Sequence, residues 1–124
     1  MARSIFKQRG DGGWGEHYSS CQTGEYVEHR ESQAVMTSWA VLALLEILGP
    51  DAGAVERGLA FLRARRNSGG SDGKKAAGWP SEAVNGVFFG SAMLDYRLYK
   101  DVFPTWALAQ IGRASCRERV LWYV

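Results

Sequence analysis

The chain has 124 residues, 46% of them hydrophobic and 23% charged, which suits one small domain and excludes both a multidomain machine and wholesale disorder. Fifteen Lys and Arg against thirteen Asp and Glu leave a formal charge of +2, too balanced for nucleic acid to be an expected partner. Arg113, Arg117 and Arg119 against Glu118 supply that whole excess, so residues 1–110 are neutral.

The opening MARSIFKQRG is basic but lacks the apolar stretch of a signal peptide, and no run approaches the roughly 18 apolar residues of a membrane span. Residues 1–31 are rich in glycine, polar and aromatic residues, with Asp11 to Glu16 as a compact turn. They read as loop around a buried Trp. From Gln33 to Leu48 the spacing predicts a helix, with Ser32 as N-cap and Gly49-Pro50 as its stop. Met36, Ala40, Ala43, Leu44 and Ile47 form one apolar stripe on it, and Val35, Trp39, Leu42 and Leu45 a second, so burial on nearly all sides is expected.

Asp51 is the expected cap of the next helix, over about 52–66. Val55, Leu59 and Leu62 fall on one face of it and Glu56, Arg63 and Arg66 on another, the pattern of an outer, half-exposed helix. A buried helix followed by an amphipathic one fits the inner and outer layers of a helical ring, and equally a plain bundle. Residues 67–77 are a polar, glycine-rich loop in which the phosphate-loop spacing fails. After Trp79-Pro80, the aromatic stretch from Gly86 to Tyr99 is expected to be extended or irregular, and Phe103-Pro104 reads as a helix start.

Two cysteines, Cys21 and Cys116, permit at most one disulfide, so a reduced compartment is the default. His17, Cys21 and His29 with Glu16 and Glu28 are spaced as no closed zinc site, and no metal is expected. Asp11 and Glu16, in a glycine turn, are expected to bind local donors rather than work as an acid and base. Glu25, Glu28 and Glu31 read as a solvated face.

The chain contains an internal echo. Gln8, Gly12 and Trp14 form a Gln-x3-Gly-x-Trp pattern, while Arg57 to Leu62, followed after a loop by Gly78-Trp79, supplies the complementary half. A Gln amide can tie groups at helix ends, and a Trp face can stack over it and exclude water. These residues resemble the QW repeat of the triterpene cyclases, the squalene-hopene and oxidosqualene cyclases. QRGDGGWGEHYSSC, SQAVMTSWAVLALL and NGVFFGSAMLDYRLYKDVFPTWALAQ are similar, in order and spacing, to the last part of the oxidosqualene branch, which includes lanosterol and cycloartenol synthases.

The resemblance implies an all-α fold, part of an α/α toroid, with residues 1–110 as the C-terminal part of the family's second α/α-barrel domain. It implies proton-initiated carbocation cyclisation of 2,3-oxidosqualene in an aromatic pocket, with no metal or organic cofactor and with attachment to a membrane surface. The family's acid, in an Asp-Cys-Thr-Ala-Glu motif, is absent, so no catalytic residue is assigned and the chain alone is expected to be inactive. Phe88 and Tyr96 match aromatics that line the family's substrate cavity; Gln8, Gly12, Trp14 and Trp79 match its structural repeat. The second copy departs from the pattern, with Arg66 for Gln and Ala77 for Gly, which predicts a loosened clamp. Residues 111–124 do not fit the family or continue the apolar period; IGRASCRERV resembles the translation of a sequencing-library adapter. The tail is therefore expected to be foreign and not a helix continuation. Two other readings are open: a squalene-hopene cyclase fragment, and a stand-alone helical module for an apolar ligand or partner. The fragment reading expects Val35, Trp39 and Leu42 to lack a covering neighbour.

Overall fold

A computed structural model describes residues 5–66, 78–85, 87–88, 92–93 and 95–121, with side chains as far as residue 113 and only the backbone at 87–88. Its elements are β1 (Trp14–Glu16), α1 (Ser19–Thr23), β2 (Glu28–Gln33), α2 (Ala34–Leu48), α3 (Gly53–Arg65), β3 (Val87–Phe88), β4 (Ala92–Met93) and α4 (Tyr99–Leu121). The chain is mostly helical, as expected of the class, but it also holds two antiparallel hairpins. β1 pairs with β2, Trp14 opposite Gln33 and Glu16 opposite Glu28, with an irregularity between; β3 pairs with β4.

α2 is central, packing on α3, α4 and the β1–β2 hairpin, while α3 and α4 meet only marginally. Trp14, Val41, Leu44, Val55, Leu59, Leu62, Trp79 and Ala107 form one core around it. Ala34, Val35, Thr37, Ser38, Ala40, Val41 and Leu44 of α2 are buried, but Ile47 and Leu48 at its end are exposed, so burial on all sides holds only for the first three turns. Val35 is buried and Trp39 and Leu42 are half-buried, contrary to the expectation that they lack cover. The reason is local: Trp39 meets Tyr99 and Phe103 of α4 edge-on.

The helix starts differ from the expected caps. α2 begins after Gln33, not Ser32, because Ser32 is drawn into β2, where its hydroxyl donates to Asp11 Oδ1 at 2.8 Å. α3 begins after Ala52, whose carbonyl accepts from Val55 and Glu56, and its buried face of Val55, Leu59, Phe61 and Leu62 is the amphipathic pattern expected. Gly49 ends α2 with a φ of 84°. α4 starts a turn before the expected Phe103-Pro104, with Pro104 inside it. It also runs through the segment expected to break it, where Ala114, Arg117, Glu118 and Arg119 are good helix formers and Gly112 is the weakest residue before Leu121. No described helix is long and apolar enough to cross a membrane.

Candidate functional site

Gln8 lies where the first loop meets α3. Its Nε2 donates to the carbonyls of Gly12 and Ala54 at 3.0 and 2.9 Å, and its Oε1 accepts from Arg57 Nη2 at 2.6 Å. Gly12 has a φ of 86°, and a Cβ there would sit 2.5 Å from the Arg57 carbonyl, so the loop can approach α3 this closely only as glycine. Trp14 is buried, its indole N–H donating to Ile5 and its backbone N–H to Thr37 Oγ1, both at 3.0 Å. Asp11 Oδ1 accepts from the Gly13 N–H, a local backbone donor of the expected kind, and also from the Ser32 hydroxyl, 21 residues away.

The second Trp is also buried, and of the two departures expected to loosen its clamp only Arg66 lies among the described residues. Trp79 is 5% exposed and its indole donates at 3.0 Å to Leu62, a carbonyl in the last turn of α3 with no helical partner. Arg66, in place of the Gln, lies with its guanidinium 5.6 Å from the Trp79 ring centroid, a cation–π contact. Ala77 lies outside the described residues.

The aromatic wall is built on α4 and its approach. Tyr96 is half exposed and stacks on Tyr99 at a centroid distance of 5.0 Å. Tyr99 meets Phe103 and Trp39 edge-on at 5.1 and 6.1 Å, Trp39 meets Phe103 at 5.3 Å, and Phe103 continues to Trp106 at 6.2 Å. Sequence reading named Tyr96 but missed the ladder, whose signal was the helical spacing of Tyr96, Tyr99, Phe103 and Trp106. Phe88 stands in β3 opposite Ala92; its side chain lies outside the described residues.

Tyr96 and Tyr99 line a cleft of about 320 Å³ whose floor includes Val35, Glu82 and Asn85, with Lys100 at its edge. Glu82 was not foreseen. Its side chain is 5% exposed, its Oε2 accepts the Ala34 N–H at 2.6 Å, and its Oε1 accepts from Arg65 Nε at 3.3 Å. Burial pushes its carboxyl above the usual range, against the pull of the Ala34 and Val35 amides and Arg65. Gln33 Oε1 and Asn85 Oδ1, both buried nearby, find no hydrogen-bond donor among the described residues. The cleft thus sets two tyrosines among mostly polar and charged side chains, Asp95, Arg97 and Lys100 among them, beside a carboxylate already engaged by two donors.

Elsewhere, His17 Nδ1 contacts Ser19 Oγ at 2.8 Å, and its ring stacks on His29. Among the described residues, no three His, Cys, Asp or Glu side chains gather as a metal site.

The model of the squalene-hopene cyclase C-terminal domain matches residues 4–113. The chain is 38% identical over 108 residues to lanosterol synthase of Mus musculus, covering 87% of this chain and 14% of that protein. It is 36% identical over 109 residues to lanosterol synthase of Homo sapiens, covering 88% and 14%. It is 40% identical over 106 residues to cycloartenol synthase of Dictyostelium discoideum, covering 86% and 14%. The chain therefore spans about a seventh of the length of these relatives. Because the match covers nearly all of its length, the chain belongs to the squalene-hopene cyclase C-terminal domain family.

Proposed function

We propose that this chain supplies part of the substrate-pocket wall of an oxidosqualene cyclase, which isomerises 2,3-oxidosqualene to a sterol-type polycyclic triterpene. The observation that carries this reading is the ladder of Tyr96, Tyr99, Trp39 and Phe103 beside a cleft, in a chain similar to lanosterol and cycloartenol synthases. An aromatic face stabilises a desolvated cation by about 2 kcal/mol, and a row of them can hold positive charge as it migrates along a folding chain. Phe88 and Tyr96 have this role on the proposed reading, and the initiating acid lies on another part of the protein. The reaction rearranges bonds within one molecule, taking up a proton at the epoxide and losing one at the end. No redox partner is required.

On the same reading α2 and α3 are inner and outer helices of an α/α toroid, Gln8, Gly12, Trp14 and Trp79 hold successive helix pairs, and the parent protein rests on a membrane surface. On this reading residues 1–110 belong to the toroid domain and residues 111–124 to a foreign tail. The lanosterol and cycloartenol synthase relatives favour this substrate over squalene itself.

The test is to clone the source gene outward from the codons for Trp14 and Trp106 and express its full product in a yeast strain lacking its own lanosterol synthase. A tetracyclic triterpene alcohol in the lipid extract is the expected result. Accumulated, unconverted 2,3-oxidosqualene overturns the reading, and conversion of supplied squalene to a pentacycle assigns the squalene-hopene branch instead.

A further inference from the structure

Segment 78–85 leads directly into the β3–β4 hairpin, and two buried attachments hold it to the helices. The first is Trp79, bonded to the end of α3. The second is Glu82. α2 begins without a side-chain cap of its own, its N-cap Gln33 making no such bond, yet a helix start leaves amides that need acceptors. Glu82, 48 residues further along the chain, supplies the acceptor to Ala34, and its other oxygen takes Arg65 from the last turn of α3. One carboxylate therefore joins the start of α2, the end of α3 and the entry to the hairpin.

Further contacts run the same way. Arg65 also pairs with Glu31 of β2 at 3.6 Å, Gln33 Nε2 donates to the Ala83 carbonyl, and Lys100 of α4 donates to Ser81. Asp95 and Arg97 lie at the rim of the same cleft. A charge buried this deeply is costly unless it is engaged by several donors, and Glu82 sits on the floor of the cleft that Tyr96 and Tyr99 wall.

We propose that Glu82 is a positioning residue: by accepting the Ala34 amide and the Arg65 guanidinium, it fixes segment 78–85, which leads into the strand of Phe88, and the Tyr96–Tyr99 side of the cleft against the start of α2. This rests on the cyclase reading for its chemical consequence but not for its structural one. A wall that shifts stabilises the late cations less well, and protons are lost earlier along the cyclisation.

Hydrogen–deuterium exchange and product analysis on the full-length gene product test this together. In Glu82→Ala, the amides of Ala34 and Val35 exchange about tenfold faster or more, residues 87–99 follow, and the product mixture shifts from fully cyclised toward less cyclised alcohols. Glu82→Gln keeps an oxygen for Ala34 and restores most of the protection and of the original product ratio. Turnover that falls with an unchanged product ratio makes Glu82 a stability residue only and overturns the proposal. So does faster exchange at 34–35 that leaves 87–99 unchanged. A wild-type protein that cyclises nothing removes the cyclase reading alone, and the exchange pattern then decides the positioning role. Should Glu82→Ala not fold, the wild type and Glu82→Gln carry the same comparison, with smaller expected shifts of the same sign.

Discussion

At the Glu82 carboxyl two influences oppose each other: burial favours the neutral form, while the Ala34 and Val35 amides and Arg65 favour the charged one. Burial prevails and the folded-state value is raised. A raised acid binds its proton more tightly in the folded than in the unfolded chain, so its contribution to stability is complete below the ordinary glutamate range. That contribution is lost as pH rises through the raised value. Urea denaturation of wild type and Glu82→Gln over this window should show the stability difference moving against the wild type as pH rises; a difference that moves the other way means the hydrogen bonds outweigh burial. Gly12 is a simpler case. Its φ of 86° and the 2.5 Å approach to the Arg57 carbonyl leave backbone, not a flexible side chain, to be displaced. Gly12→Ala should cost about 2 kcal/mol or more in the same assay, and a loss below about 0.5 kcal/mol would show that the loop can retreat from α3 cheaply.

Between elements, the α2–α3 crossing depends on Gly58, where a Cβ would lie 2.5 Å from Val41 Cγ2 and 3.1 Å from the Trp14 ring. Alanine improves helix propensity by about 1 kcal/mol, but overpacking a fixed β-branched neighbour costs about 1–3 kcal/mol. Set against each other, these give a net loss of up to about 2 kcal/mol for Gly58→Ala. Val41→Ala in the same chain should recover part of it, which a double-mutant cycle measures. Independent effects at the two positions would mean that Val41 does not set the distance. Contacts of this kind explain what the sequence made legible. α2 and α3 were readable because their apolar periods are strong and Gly49 ends one of them. β2, EHRESQ, was not, because it has no apolar alternation: it is held by main-chain pairing to β1 and by Arg9, which donates to the carbonyls of His29 and Arg30 and pairs with Glu28. Nothing in the structure explains why Asp51 does not cap α3. The cap at Ser32 failed because a local rule cannot see that Ser32 is needed by Asp11, or that a carboxylate 48 residues away serves α2. For the same reason the ladder was half visible and Glu82 invisible, since one is written in local spacing and the other only in tertiary contact.

For the molecule as a whole, the buried core is continuous but one surface is not covered. Leu98, Val102 and Trp106 recur every fourth residue along α4 and its lead-in, 71%, 51% and 49% exposed, and Ile47 and Leu48 protrude at the end of α2. A contiguous apolar stripe is unusual on a small monomer and marks a surface meant for contact. In relatives of which this chain matches only 14%, most of the polypeptide is available to cover such a stripe. Isolated as 124 residues, the chain should therefore self-associate at micromolar concentration through this stripe, as light scattering after size exclusion would show. Because the driving force is apolar, raising salt should not dissolve the assemblies as it would an ion-paired contact. Leu98→Glu with Val102→Glu should return the chain to a monomer, and, at exposed positions, change its stability by no more than about 0.5 kcal/mol each. A wild-type chain that stays monomeric would show that the exposed residues do not form an adhesive surface; assemblies that survive both substitutions would place the contact elsewhere, with Ile47 and Leu48 the next positions to change.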